Sequence, residues 1–372
     1  MTLWKSDLPI NDIKRYPRQI ILPHVKIEGQ KLIDSSKVVI IGMGGLGVPV
    51  LTYLASTGIS QIGIVDFDRI ELHNIQRQVI YKECQVGQYK TSCAKKFAVE
   101  ANSTIKIVEY NVKCTKENVF DIIKDYDVIA DCCDDIESRY IINDACRIQR
   151  KNLVSASVLR WEGQVFVIPK DKACYRCMFP EMKRQASNCS TSGVSGPVCG
   201  IIGSIQANEV IKMILTGDQD SGDEENPIGN LILFDSLTNC SRPIKKSFKI
   251  CGVCKTRKMG ETFSKPCESE NNSECKVLPW NHIIKNMSKY QIVDIRTSDQ
   301  YKMFRVADSV NIPDVEANLD RLKEFYKPIV LSCYKGCSSK DTVKLLKAHG
   351  IDAYSSGGGI EEFKKYVGFY DL

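Results

Sequence analysis

The sequence predicts an α/β protein: a doubly wound parallel sheet with an antiparallel extension, followed by a smaller α/β unit. Three observations predict it. From Lys37 to Val158, β-branched runs such as VVII at 38–41 alternate with helically spaced segments, the order of parallel strands buried on both faces. From Leu159 the pattern changes, and WEGQVFVIP, NLILFD and CSRPIKKSF alternate like antiparallel strands. A polar stretch with little periodicity, 256–278, then precedes a last segment, 279–372, with strand and helix signals of its own. The expected organisation is a first domain over 1–255, a linker over 256–278 and a second domain over 279–372.

Taken in order, RYPRQI at 15–20 leads into the strand KVVII. Gly42, Gly44, Gly45 and Gly47 follow, then VPVLTYLAST resumes helical spacing until Gly58 caps it. QIGIVD is a second strand ending in Asp66, and a polar stretch after it gathers Asp68, Asn74, Arg77 and Gln78. Lys90 leads the helix KTSCAKKFAVEAN. IKIVEYNV is a strand, TKENVFDIIKDY a helix, and YDVIADCCDD a strand running into the pair Asp134 and Asp135. ESRYIINDACRIQR is a helix and NLVSASV the next strand. Farther on, a Ser/Gly-rich crossing segment, EMKRQASNCSTSGVSGPVCG, precedes the helix GSIQANEVIKMIL and an acidic loop. In the last segment QIVDIR, PIVLSC and AYSS are strands, with helices at SSKDTVKLLKAHG and GGGIEEFKKYV.

Composition bounds the function classes. With 372 residues, 43% hydrophobic and 26% charged, the chain suits about two soluble domains. A net charge of +6 without a Lys/Arg block interleaved with aromatics gives no reason to expect direct nucleic-acid binding. Neither a signal-peptide core nor an apolar run of membrane-span length is expected, so a cytoplasmic protein without membrane association is the simplest reading. Seventeen cysteines in so long a chain point to metal ligation or thiol chemistry rather than a disulfide framework. Four scattered histidines leave little for a histidine-based metal site.

A strand, a glycine turn and a helix N-terminus make an anion site, because unpaired N–H groups and the helix dipole favour phosphate. With Asp66 placed where such folds bind ribose, the first unit reads as a nucleotide site, although the turn alone fits NAD as well as ATP. Two C-x-x-C pairs, Cys174/Cys177 and Cys251/Cys254, form a candidate four-cysteine zinc site of structural kind, since four thiolates leave no open position. Redox dithiols are the competing reading. Cys189, in the crossing segment, is either a surface thiol or a nucleophile. Cys333 ends a strand just before a helix, in a loop whose backbone N–H groups can cradle an anionic sulfur adduct. A cysteine phosphatase would need an arginine in that loop, and position 339 is serine, so sulfur transfer fits better.

RYPRQI, GMGGLG, DFD, NIQRQ and the paired C-x-x-C motifs closely resemble the adenylyltransferase domain of the ubiquitin-activating-enzyme-like group over residues 15–254. Residues 279–372 resemble a rhodanese domain. Their fusion is similar to the eukaryotic adenylyltransferase–sulfurtransferases that activate ubiquitin-related sulfur carriers. The resemblance implies a Rossmann-like first domain that uses ATP and Mg2+ to adenylate the C-terminal glycine of a carrier ending in Gly-Gly. By that resemblance Gly42, Gly44 and Gly45 form the nucleotide turn, and Asp66 holds the ribose, with Asp68 and Asn74 beside it. Arg77, Gln78 and Lys90 neutralise phosphates, and Asp134 helps hold Mg2+. Arg18 reaches the site of the other subunit, which implies a homodimer. Cys189 aligns with the crossover-loop thiol that takes the acyl group as a thioester, and Cys333 with the persulfide cysteine. Its terminal sulfur, supplied by a cysteine desulfurase-type donor, leaves a thiocarboxylate on the carrier, for tRNA wobble-uridine thiolation and in some settings molybdenum cofactor synthesis.

The chain departs from the family pattern in three places. DCCDD stands where the family has DCTDN, so Asp135 replaces an amide near the nucleotide and Cys133 a hydroxyl. The loop CYKGCSS lacks the usual arginine and gains Cys337, a thiol able to resolve a persulfide or pair with Cys333. The chain and its linker are short for the group. Competing functions are an NAD-dependent oxidoreductase, which leaves NIQRQ and the second domain unexplained, and an adenylating enzyme without sulfur transfer.

Overall fold

The computed structural model describes residues 7–180, 193–216, 231–244, 249–260 and 276–368. The chain forms two compact units, Met1–Ser264 and Lys265–Leu372.

The first unit contains strands β1 (Lys37–Ile41), β2 (Gln61–Val65), β3 (Lys106–Tyr110), β4 (Val128–Asp131), β5 (Asn152–Leu159), β6 (Glu162–Ile168), β7 (Leu231–Asp235) and β8 (Cys240–Ile244). They lie in one sheet in the order β3-β2-β1-β4-β5-β6-β7-β8. The first five are parallel, and β6, β7 and β8 add antiparallel. Alternation along β1 builds both faces of the sheet: Val38 and Ile40 enter one core with Leu51, Leu54 and Ile202, while Val39 and Ile41 enter the other with Tyr126, Tyr140 and Ile142. Each fully buried aliphatic side chain contributes about 1.5–3 kcal/mol.

Order within the sheet places the ligand crevice. The chain runs outward from β1 through β2 to β3, then returns to β4 on the other side of β1. Loops after β1 and β4 therefore leave in opposite directions and open a cleft at the carboxyl ends of the strands. The helix after β1 is Gly47–Thr57, closed by Gly58 in the left-handed conformation. The helix after β4, Ile136–Ile148, begins at Asp135.

Three local expectations change. The helix expected from Gly203 begins earlier and spans Gly196–Thr216. It is long and apolar enough to cross a membrane by length and composition, contrary to the expectation that no such run exists. Here Val198, Ile202, Ala207 and Val210 are buried in the first core, where a helix apolar on most sides is stabilised by packing. The segment read as a linker is partly taken up by both units. Helix Gly252–Thr256 runs into its start, and Gly260 donates its N–H to Asp144 in the first unit. Val277–Leu278, at the other end of that segment, forms a strand of the second unit.

The second unit is a parallel sheet of β9 (Val277–Leu278), β10 (Gln291–Asp294), β11 (Val310–Asn311), β12 (Ile329–Ser332) and β13 (Ala353–Ser356), in the order β11-β10-β12-β13-β9. Val293, Leu331, Val343 and Leu346 fill one face, and Ile292, Val330, Trp280 and Ile360 the other. Cys333 follows directly on the central strand β12.

Candidate functional site

The cleft of the first unit is organised by the turn after β1. Gly42 has φ +99°, and a Cβ there would lie 2.8 Å from the Cys132 carbonyl oxygen, so only glycine fits where the two crevice loops touch. The Met43 amide donates to Asp66 Oδ2 at 2.7 Å, and the Asp68 amide to Oδ1 at 2.8 Å. Burial raises the Asp66 pKa above the ordinary carboxyl value, and the Lys90 charge opposes that rise. Lys90, itself buried, makes an ion pair of 2.7 Å with the more exposed Asp68. Tyr81, which the sequence reading missed, donates its hydroxyl to the Met43 carbonyl at 3.0 Å and fixes the turn from below.

The other expected residues gather around the same turn. A Cβ on Gly45 would lie 3.4 Å from Arg77 Cγ, and one on Gly44 would lie 3.7 Å from Gln78 Nε2. Arg77 donates to the His73 carbonyl at 3.0 Å. Gln78 is buried, yet its Oε1 has no hydrogen-bond partner among the described residues. A buried acceptor left unpaired costs about 1–3 kcal/mol, so its position beside a glycine turn fits a polar ligand there. Asn74 is buried, and its Oδ1 accepts from the Glu71 amide and closes a short capping box.

The loop after β4 carries Asp134 and Asp135, both exposed. Asp135, expected near the nucleotide, is the N-cap of helix Ile136–Ile148: its Oδ2 accepts from Ser138 N at 2.9 Å and Ser138 Oγ at 2.7 Å. An asparagine or an aspartate can fill that cap, and a carboxylate adds a favourable charge at the helix N-terminus. Beneath the loop lies a buried network that sequence reading missed. Arg139 donates to Ser155 Oγ, to the Cys133 carbonyl and to the Ala156 carbonyl, and lies 3.3 Å from Asp131. Gln206 donates to the Asp131 and Val154 carbonyls at 3.0 and 2.9 Å. Burial and the adjacent Asp131 push the Cys132 and Cys133 thiols well above their usual range, which suits packing rather than nucleophilic work.

At the first helix, Tyr16 is buried and its hydroxyl accepts from Asn102 Nδ2 at 3.0 Å. Gln19 donates to Gln30 Oε1 at 2.7 Å. Arg18, between these anchors, is exposed. Cys189 lies outside the described residues.

The two C-x-x-C pairs meet. Their four sulfurs lie within 4.8 Å of one another, with Cys174–Cys177 at 3.9 Å, Cys174–Cys251 at 3.6 Å and Cys177–Cys254 at 3.7 Å. A tetrahedron of Zn–S bonds of about 2.3 Å has sulfur–sulfur edges of ~3.8 Å, so the donor set fits zinc. The Cys251 amide donates to Cys177 Sγ at 3.3 Å and Asn143 Nδ2 to Cys174 Sγ at 3.6 Å, the outer hydrogen bonds that thiolate ligands take.

In the second unit, Cys333 is buried and its Sγ accepts from the Gly336 amide at 3.1 Å and the Ser339 amide at 3.4 Å. Ser339 Oγ lies 3.4 Å from the same sulfur and 2.8 Å from Ser355 Oγ. The helix Ser338–Ala348 starts at this loop with its positive end toward the sulfur. Gly359, at φ +62°, lets a second glycine turn press against the loop, since a Cβ there would collide with the Cys333 carbonyl oxygen. Ser355 and Gly359 carry no signal in the sequence beyond their proximity to a strand end.

Comparison with known proteins places these sites in a family. Residues 16–253 match the ThiF family and residues 281–366 the rhodanese-like domain. The chain is 35% identical to the adenylyltransferase and sulfurtransferase MOCS3 of Xenopus laevis, over 83% of this chain and 72% of that protein. The proteins of that name from Dictyostelium discoideum and Caenorhabditis briggsae are 34% and 33% identical, covering 90% and 97% of this chain and 89% and 96% of theirs. Among solved structures, Escherichia coli MccB with ATP aligns with a TM-score of 0.52 at 21% identity, over 67% of this chain and 82% of its own. A second structure of the same protein aligns with a TM-score of 0.54 at 22% identity, over 61% and 66%. Those structures share the fold of the first unit. With the glycine turn, the paired C-x-x-C cluster and the sulfur-cradling loop all in place, the chain belongs to the ThiF family and carries a C-terminal rhodanese-like domain.

Proposed function

We propose that this enzyme is an adenylyltransferase and sulfurtransferase that converts the C-terminal glycine of a ubiquitin-like sulfur carrier into a thiocarboxylate. One observation carries the reading: a single chain joins a ThiF-type cleft to a loop whose amides converge on the Cys333 sulfur. In the first unit the carrier carboxylate attacks the α-phosphate of ATP, which brings two anions together and needs fixed positive charge. Arg77 and Gln78 lie beside the turn that would hold the phosphates, one as a cation and one as a polar donor. Lys90 adds a positive charge near Asp66 and Asp68, and Asp66 stands ready for the ribose. Asp134, exposed on the facing loop, offers a carboxylate oxygen of the kind Mg2+ takes. Arg18, exposed on an anchored helix, suits a role in the neighbouring subunit of a homodimer.

Pyrophosphate leaves and the acyl-adenylate remains. Cys189 then accepts the acyl group, and a persulfide on Cys333 supplies the sulfur that displaces it. The loop amides stabilise the negative sulfur without an arginine. A cysteine desulfurase-type protein is the proposed donor, and tRNA wobble-uridine thiolation the principal use, with molybdenum cofactor synthesis a second, in the cytoplasm. Zinc at Cys174, Cys177, Cys251 and Cys254 would supply a crosslink and no open coordination position.

The test is mass spectrometry of a ubiquitin-fold protein ending in Gly-Gly, incubated with the enzyme, ATP and a persulfide source. Exchange of one oxygen for sulfur is expected. Absence of ATP–pyrophosphate exchange in the presence of every such carrier tried refutes the reading.

A further inference from the structure

The sulfur loop holds two thiols, and the proposed function uses one. Among the described residues of the second unit, Cys333 and Cys337 are the two cysteines. Cys333 is buried at 6% exposure, whereas Cys337 is exposed. They belong to one tight ring. Amides of residues 336 and 339 both point at the Cys333 sulfur, and residue 337 lies between them in the chain. With the Gly336 nitrogen 3.1 Å from that sulfur, covalent geometry keeps the Cys337 Cα within ~8 Å of it.

A disulfide needs Cα atoms roughly 4.4–6.8 Å apart, a distance that residues four apart in a turn can reach. Gly336, at φ +82°, supplies the pliable link. Cys337 is also the residue from which the helix Ser338–Ala348 starts, and its carbonyl accepts from the Lys340 amide at 3.1 Å. A thiol at a helix N-terminus is favoured as thiolate, the attacking species in disulfide exchange.

We propose that Cys337 is a resolving thiol that discharges sulfur adducts from Cys333. The inference rests on the proposed role of Cys333 as the sulfur-bearing residue. When the Cys333 persulfide has captured the carrier carbonyl, the linkage is Cys333 Sγ–S–C(=O)–carrier. Cys337 loses its proton to solvent and its thiolate attacks Cys333 Sγ. A Cys333–Cys337 disulfide forms, the bond between Cys333 Sγ and the outer sulfur breaks, and the carrier departs as thiocarboxylate with the electron pair. The Cys337 sulfur is oxidised from thiolate to disulfide, the outer sulfur is reduced from disulfide to thiocarboxylate, and Cys333 Sγ keeps its oxidation level. An external thiol reductant then restores the loop, and the exposure of Cys337 gives it access. Thiocarboxylate is a good leaving group because its conjugate acid is strong, so exchange proceeds in this direction. Without a carrier, the same attack on the Cys333 persulfide releases hydrosulfide.

The experiment uses the full chain, with thiosulfate as sulfur donor, in the absence of thiol reductant. Sulfide release is followed, remaining thiols are alkylated, and the unreduced protein is digested with trypsin. Because Lys335 separates the two cysteines, a loop disulfide appears as two joined peptides, ending at Lys335 and Lys340. The wild-type chain is expected to release sulfide and give the joined peptides. Cys337→Ser is expected to keep the persulfide on Cys333 and release sulfide at least about tenfold more slowly, and, with ATP and carrier, to accumulate carrier in a reductant-sensitive link to Cys333.

The proposal is overturned if Cys337→Ser discharges as fast as wild type, or if wild-type Cys333 takes up sulfur and no joined peptides form. Sulfide release and a loop disulfide without any thiocarboxylated carrier would overturn the carrier reading and leave this inference standing. A Cys333 that takes up no sulfur overturns both.

Discussion

Replacing Arg139 with methionine tests how the facing wall of the cleft is held. The guanidinium is buried, lies 3.3 Å from the fully buried Asp131, and donates at 2.5 Å to the Cys133 carbonyl in the loop that carries Asp134. Methionine preserves much of the volume and removes the charge and the donated bonds. Asp131 keeps the Cys133 amide at 3.0 Å and the Ser155 hydroxyl at 2.7 Å, but loses its counter-charge. Breaking a buried pair from one side costs about 3–5 kcal/mol. For a unit of this size, each kcal/mol shifts Tm by about 2–4 °C, so a fall of roughly 6–20 °C is expected. Two assays separate stability from positioning: thermal unfolding, and ATP–pyrophosphate exchange measured well below the lowered Tm. Exchange should fall as the loop loses its anchor, while thiosulfate-dependent sulfur loading on Cys333 continues. Asp131→Asn combined with Arg139→Met should recover most of the lost stability, because the unpaired charge is gone. If the single variant melts within about 2 °C of wild type, or the double variant is as unstable as the single, the assignment of the network as a charge-balanced anchor is wrong.

Three further variants, at Asp66, Cys251 and Gly359, test the geometry. Asp66→Asn should weaken ATP binding by roughly tenfold to a hundredfold, the worth of a charge-assisted hydrogen bond, measurable by calorimetric titration. Burial raises the folded-state pKa of Asp66, so its ionised form opposes folding above the unfolded carboxyl range of about pH 4. An asparagine there can accept only one of the two amides that Asp66 takes, a loss present at every pH, so the test is the pH dependence. The stability of Asp66→Asn relative to wild type should rise from about pH 4 towards neutral in denaturant titrations. Cys251→Ser, or chelation, should remove zinc as read by elemental analysis and lower the Tm of the first unit by roughly 5–10 °C, with sulfur loading on Cys333 spared. Gly359→Ala would force a Cβ to within 2.6 Å of the Gly336 nitrogen, the atom that donates to the Cys333 sulfur. Sulfur loading should fall at least about tenfold while ATP–pyrophosphate exchange persists, and unchanged loading would show that the two glycine turns are not coupled.

Much of the cleft was legible because its signals are local. The run before Gly42 can only be a buried strand, and Gly58 closes the following helix in a conformation that favours glycine. Asp135 shows where local reading stops. The family resemblance places it near the nucleotide, and the fold adds a role that resemblance did not give, since its carboxylate caps a helix through Ser138. Arg139 gave no signal, since an arginine in an amphipathic helix ordinarily faces water. The two-residue strand Val277–Leu278 was read as linker because so short a segment has no measurable period. Likewise, the first residues of the helix from Gly196 look like the end of a crossing segment because glycine and proline there resemble a loop, whereas its body from Gly203 reads as helix.

By itself the sequence determined the kinds of chemistry available: glycines for close backbone approach, four thiols in two matched pairs, a cysteine at the end of a strand. Spacing along the chain decides these, because turns and helix ends are made by neighbours. Which groups meet was decided only by tertiary structure. Cys174 and Cys251, separated by 77 positions, come within 3.6 Å of each other, and Asp131 finds its counter-charge in Arg139 behind the loop rather than in the cleft. Such meetings depend on the order of strands in the sheet and on the burial of charges, neither of which is written in the residues on either side.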